Sequence, residues 1–203
     1  FGGQGNSEFA FGDRIQVVEI EGELVDSRPV IEQLKRYEDT KSVRAILLNV
    51  DSPGGGVAVS QEIYKEIKRL REDKGKIVVA YMSTVGASGA YYLSCEANKI
   101  VANPGTVVGS IGVIAEWVNY SDLLQWAKLQ NVTFKSGEFK DTGAPTRPLT
   151  DREKVYFQGL IDDMYVQFVE AVANGRKMDV EQVRALADGR VFTGRDEIGR
   201  AHV

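Results

Sequence analysis

The stretch Met82–Tyr92, MSTVGASGAYY, decides how this chain is read. A β-branched apolar run, Ile77–Met82, leads into it, and small residues then carry the chain to Ser88, with Gly86 and Gly89 close on either side. Ala90, Tyr91, Tyr92 and Leu93 follow as the first turns of a buried helix. A serine at a strand-to-helix turn has its hydroxyl pushed outward, beside the unpaired N–H groups of the helix start. Those donors favour negative charge, which an acyl-transfer oxyanion carries. Ser88 therefore reads as a nucleophile. Small residues also gather at such turns simply because backbones pack closely there. Gly89, directly after the serine, departs from the G-x-S-x-G elbow. The stretch taken alone leaves both readings open.

Outward from it, the pattern is one of strands alternating with helices. Arg14–Ile20 reads as a first strand, and Pro29 sits where the first turn of a helix tolerates it. Val43–Val50, VRAILLNV, is the continuous apolar run of a parallel strand covered on both faces. Asp51–Gly56, DSPGGG, follows as a loop, then an amphipathic helix over Val59–Glu72. Three glycines after a strand let backbone N–H groups approach a ligand closely; a plain tight turn is the other reading. The phosphate alternative lacks the Gly-Lys-Ser/Thr that should follow, and the spacing does not fit a dinucleotide fingerprint. Lys99–Ala102 is a further short strand, NPG at Asn103–Gly105 a turn, and VVGSIGVIAEWV an apolar segment broken by Gly109, Ser110 and Gly112. SDLLQWAKL reads as a helix capped by Ser121, and VTFKS as a strand. The recurring strand–helix–strand unit predicts right-handed βαβ crossovers and a mainly parallel sheet flanked by helices.

Gly137–Pro148 is an irregular loop carrying Lys140, and Thr150-x-x-Glu153 makes a capping box for a long helix. That helix sets Val155, Leu160, Ile161, Met164, Tyr165, Phe168, Val169 and Val172 on one broad apolar face. Asp179 caps a last helix that Gly189 ends, and the remainder, VFTGRDEIGRAHV, stops without a closing element.

At 203 residues and 43% hydrophobic, the chain has material for one ordinary globular domain. With a net charge of −4, a nucleic-acid partner would need a local basic patch, and the sequence offers none. Cys95 is the sole cysteine, so no internal disulfide forms, and its apolar surroundings make it core filler. The one histidine, His202, lies next to the C-terminus, so a Ser-His-Asp triad is excluded, and no His/Cys cluster is present to hold zinc. No cofactor is called for. No apolar run spans a bilayer, yet the first residue is Phe1 rather than methionine, so upstream residues are expected to have been lost and a signal or anchor segment among them stays open.

Four separated segments in order, DSPGGGVAVSQEIY, STVGASGAYYLSCEANKIVANPGTVVGSIGV, FKSGEFKDTGAPTRPLT and DGRVFTGR, resemble the signal peptide peptidase A family. These are serine proteases of the Clp/crotonase-like fold. The resemblance implies a Ser/Lys dyad: Ser88 as nucleophile and Lys140 as general base. It implies Ser110 as the hydroxyl that orients the lysine, and the N–H groups of Gly55 and Gly89 as the oxyanion hole. It also implies a homo-oligomer whose sites are shared between protomers. The remaining implications are signal-peptide substrates, a membrane anchor upstream, and a catalytic domain on the outer side of the bacterial cytoplasmic membrane. The residues alone do not single out Lys140 among the other lysines. The chemistry is nevertheless coherent: an amine is a base only when neutral, its ordinary value is about 10.4, and burial lowers it by up to about 3–5 units.

The expected organisation is a flexible linker over 1–12, a catalytic domain over 13–196, and a non-native tail over 197–203. EIGRAHV in that tail back-translates to something like a sequencing-adapter read. Two other functions stay open: a crotonase-like acyl-CoA enzyme using the same glycine N–H groups, and a non-catalytic oligomeric scaffold of the same fold.

Overall fold

A computed structural model of the chain describes residues 12–197. The linker expected over 1–12 and the tail expected over 197–203 fall almost wholly outside the described residues. Six strands form one sheet: β1 (Arg14–Leu24), β2 (Val43–Gly55), β3 (Ile77–Ala87), β4 (Lys99–Ala102), β5 (Val107–Gly109) and β6 (Val191–Thr193). The order is β1-β2-β3-β5-β6, with β4 pairing β3 off this path. Every pairing is parallel except β5 with β6. The mainly parallel α/β sheet expected from the repeated strand–helix–strand units is therefore present.

The crossovers are α1 (Arg28–Glu38) and α2 (Val57–Glu72), and the short α3 (Gly89–Ser94) leads on to β4. Pro29 stands in the first turn of α1, where its missing N–H costs nothing. Ile63, Ile67 and Leu70 form the buried stripe of α2, and Val18, Ile20, Ile46, Leu48, Val50, Val78, Ala80 and Met82 of the sheet are likewise essentially without solvent contact. The opposite sheet face is less covered than the sequence suggested. Ala45, Leu47 and Asn49 on β2 are half-buried, and Ile15 and Val17 on β1 are exposed. Among the described residues, the alternating burial along β1 and β2 leaves that other face partly open.

Two strands run further than expected. β2 continues through Asp51–Gly55 because Glu23 and Leu24 of β1 pair with Gly54 and Gly55. β3 continues through Ser83–Ala87, where Ser52 pairs with Gly86 and Val85 with Val107. A closing element also exists: β6 pairs antiparallel with β5 and the short α7 (Gly194–Glu197) follows it.

The chain divides into two units, one of residues up to Gly112 together with Phe168 onward, the other Val113–Gln167. The second unit contains α4 (Ser121–Trp126), a 3-10 turn at Glu138–Asp141, and the first part of α5 (Asp151–Arg176). The strand expected at VTFKS does not form; its residues are exposed and non-regular, with no sheet edge to pair with in that unit. Tyr120, not Ser121, is the N-cap of α4, and the Asn119 side chain accepts the Ser121 N–H at 2.9 Å. The capping box of α5 is present: Thr150 N–H donates to Glu153 Oε2 at 2.8 Å and Glu153 N–H to Thr150 Oγ1 at 3.2 Å. Only part of its expected face is buried. Phe168, Val169 and Val172 are covered within the first unit, whereas Val155 (74%) and Leu160 (41%) are exposed. α6 (Val180–Leu186) starts at the Asp179 capping box and ends at Ala187, ahead of Gly189.

Candidate active site

Ser88 sits at the end of β3, immediately before α3, with φ 52° and ψ −123°. Such a left-handed conformation is costly for a residue with a Cβ and persists only where surrounding contacts enforce it. The enforcing contacts are local and specific. Ser88 N–H donates to Gly109 O at 2.8 Å, and its carbonyl accepts the Tyr92 N–H at 2.9 Å as α3 begins. All six residues of α3 are buried. Tyr92 packs against Tyr64 of α2 and Phe168 of α5, with ring centroids 5.3 and 4.8 Å away. With so short a helix, the useful donor is the N–H of Gly89 itself rather than a summed dipole.

The 52–55 segment packs directly on this turn. A Cβ placed on Gly54, whose φ is +100°, would meet Gly89 N at 2.6 Å and Ser88 Cβ at 2.8 Å. A Cβ on Gly89 would come within 3.2 Å of Gly55 N. Only backbone without side chains allows these two loops to lie so close. Ser52, fully buried, supports the loop by accepting the Gly54 N–H on its hydroxyl at 3.1 Å. Ser60 of α2 donates its hydroxyl to Gly56 O at 3.0 Å and borders Gly89. Neither serine was singled out from sequence, although a Ser-x-Gly turn after a strand is the signal that could have found Ser52.

Ser110 follows Gly109 and also has a left-handed backbone, φ 53°. Its N–H donates to Arg190 O at 2.8 Å. Of the four non-glycine residues with positive φ among those described, two are thus Ser88 and Ser110. Both are half-buried. The first unit therefore brings together Gly55, Ser88, Gly89 and Ser110.

Lys140 belongs to the second unit. It lies in the 3-10 turn, its N–H donating to Gly137 O at 3.2 Å, and it is exposed. The adjacent Asp141 is held first by Arg147 and then by Lys135, whose hydrogen bonds keep its carboxyl well below the usual range. Glu153, buried and bound by Arg147, Thr150 and Thr142, is depressed likewise. Cys95 is fully buried, and loss of solvation pushes its thiol far up, away from any nucleophilic role. No cluster of three or more His, Cys, Asp or Glu among the described residues could hold a metal ion. No helix of the described residues is long and apolar enough to cross a membrane.

A mainly parallel α/β sheet whose strand-to-helix turn presents a strained serine against a glycine-rich loop has the arrangement of a serine hydrolase. The comparisons with known proteins are specific within that class. Residues 70–202 match Peptidase family S49, and the chain belongs to this family. It is 40% identical over 166 residues to a protein of Enterococcus faecium assigned as a signal peptide peptidase SppA, covering 82% of this chain and 48% of that one. It is 41% identical over 187 residues to a protein of Synechocystis sp. assigned as a protease, covering 91% and 66%. With the chloroplastic serine protease SPPA of Arabidopsis thaliana it shares 34% identity over 180 residues, covering 88% and 26%. The chain thus spans less than two thirds of the length of each of these relatives.

Proposed function

We propose that this chain carries the catalytic region of a serine endopeptidase that cleaves peptide bonds with a Ser88–Lys140 dyad and degrades signal peptides left in the membrane after secretion. The observation that carries the reading is the enforced left-handed turn at Ser88, with the Gly54–Gly55 backbone packed against it. In the cleavage step the neutral Lys140 amine takes the Ser88 hydroxyl proton while Oγ attacks the peptide carbonyl carbon. The carbonyl π pair moves onto oxygen, and the N–H groups of Gly55 and Gly89 donate to that oxyanion. Collapse of the adduct breaks the C–N bond, and the lysine ammonium returns its proton to the leaving amine. Water then hydrolyses the acyl-enzyme with the same amine as base. Ser110 orients that amine by hydrogen bonding.

A homo-oligomer in which serine and lysine come from neighbouring protomers fits an exposed Lys140, since such a base needs a dry setting that a neighbour would supply. It also fits the large apolar side chains bare in the second unit, among them Val118 (75%), Trp126 (82%) and Phe134 (95%). The proposal of signal-peptide substrates is supported by the likeness to the protein assigned as signal peptide peptidase SppA; an upstream anchor and a catalytic region outside the bacterial cytoplasmic membrane belong to the same proposal.

The test is acylation by a fluorophosphonate probe in wild type, Ser88→Ala and Lys140→Ala. Labelling is expected in wild type alone. Undiminished labelling of Ser88→Ala removes the nucleophile, and a fully reactive Lys140→Ala removes the base. Slow thioester hydrolysis with no peptide cleavage would favour acyl-CoA chemistry instead.

A further inference from the structure

We propose that Asp141, Arg147 and Glu153 act together as a positioning clamp that fixes the Lys140 turn; this rests on the reading of Lys140 as the general base. Lys140 occupies a single 3-10 turn, too short to hold its own shape. The residue after it is gripped from two sides. Arg147 donates to both Asp141 oxygens, Nε at 2.9 Å and Nη2 at 2.8 Å, and Lys135 Nζ donates to Oδ1 at 2.7 Å. The other edge of the same guanidinium donates to Glu153, Nη1 to Oε2 at 2.8 Å and Nη2 to Oε1 at 2.5 Å. Glu153 is 1% exposed and is rooted in the first turn of α5, where Thr150 N–H and the Thr142 hydroxyl complete its shell at 2.8 and 3.0 Å. The turn is therefore tied to a long helix by a planar fork that binds one carboxylate on each edge. Two forked contacts fix orientation as well as distance, which a point-charge lysine would not do.

The other charged neighbours are placed differently. Glu138, at the start of the turn, pairs with Arg152 at 2.8 Å on the exposed side, and that guanidinium lies 5.6 Å over the Phe139 ring. These contacts are solvent-facing and add little. The clamp is the part with buried anchorage. Lys140 is exposed in the single chain; once a neighbouring protomer covers it as proposed, a turn released from the clamp would let water back to the amine and let its position drift, and a displacement of about 1 Å in a reacting group can cost on the order of 10²-fold in rate.

The test is the rate of fluorophosphonate acylation at Ser88 from about pH 6 to about pH 11, a range that brackets the ordinary lysine value of about 10.4. The variant is Asp141→Asn, which loosens the turn while leaving the Arg147–Glu153 pair intact. The expected result is labelling about tenfold or more slower near pH 7.5, with the midpoint of the pH profile moved toward the ordinary lysine value, as a more hydrated amine requires. A lowered rate at every pH with an unmoved midpoint would mean a merely structural role and would overturn the proposal, as would a wild-type profile. If circular dichroism shows Asp141→Asn unfolded, Lys135→Met, which removes the second cation on Asp141, is read by the same two criteria. Lys140→Ala separates the two levels. If it labels as fast as wild type, the base reading and the clamp fall together; if it is inert while Asp141→Asn and Lys135→Met match wild type, the clamp alone falls.

Discussion

Replacing Gly54 by alanine tests the packing on which the proposed nucleophile turn depends. At φ +100° the residue is in a region that a side chain resists, and the added Cβ would meet Gly89 N at 2.6 Å, Ser88 Cβ at 2.8 Å and Ala87 O at 2.9 Å. Two of these neighbours are backbone atoms, which cannot swing aside. The backbone strain costs about 1–3 kcal/mol and the overpacking about 1–3 kcal/mol, for a total of roughly 2–6 kcal/mol if both apply in full. Against a typical domain stability of about 5–15 kcal/mol, the variant should fold but melt on the order of 10 °C lower. If the strain is relieved by moving the 52–55 loop away from Ser88, acylation should slow by on the order of 10²-fold even in the folded fraction. Thermal melts followed by circular dichroism, with fluorophosphonate labelling below the transition, measure both effects. Gly159→Ala is the control: no atom lies within 4 Å of the added Cβ, and in the interior of α5 the change should stabilise by about 1 kcal/mol. Should Gly54→Ala melt and label like wild type, the close approach of the two loops would be refuted.

Two further outcomes follow from burial and charge. Cys95 is enclosed, its Sγ–H donating to Tyr92 O at 2.9 Å, so a thiol reagent should react with it only on global unfolding; titration of the native protein at neutral pH would refute this. Asp141 and Glu153 have carboxyls held well below their ordinary values, chiefly by the Arg147 guanidinium. Their stabilisation is present above about pH 4 and lost as pH falls through the folded values, so denaturant midpoints should drop steeply on that acid limb, and Glu153→Gln should flatten it. An acid limb unchanged by Glu153→Gln would count against this.

The regular half of the fold was open to reading because side-chain chemistry and tertiary context agree there. Ile46, Leu48 and Val50 announce a buried strand, and Thr150 with Glu153, and Asp179 alone, announce helix starts that the hydrogen bonds bear out. The ends of β2 and β3 were hidden because DSPGG and STVGA carry turn chemistry, and only the neighbouring ladders, Leu24 on Gly55 and Ser52 on Gly86, extend them. VTFKS shows the reverse: β propensity without an edge to join yields no strand. For the candidate site, the serine turn itself was legible in the small residues around Ser88, whereas the packing of the DSPGGG loop against that turn was implied only by the family resemblance. The grip on the Lys140 turn was not legible, because Asp141, Arg147 and Glu153 are spaced without helical or strand periodicity and meet only through the fold of an irregular loop.

One consequence concerns synthesis. Gly109 accepts the Ser88 N–H and is itself paired with Val191, while the Ser110 N–H is taken up by Arg190. The two costly serine geometries are thus stitched to residues encoded about a hundred codons downstream of the first. A nascent chain still lacking that segment has Ser88 but not the seam that bends it into shape. Maturation of the turn should accordingly wait until that late-translated segment has emerged and paired.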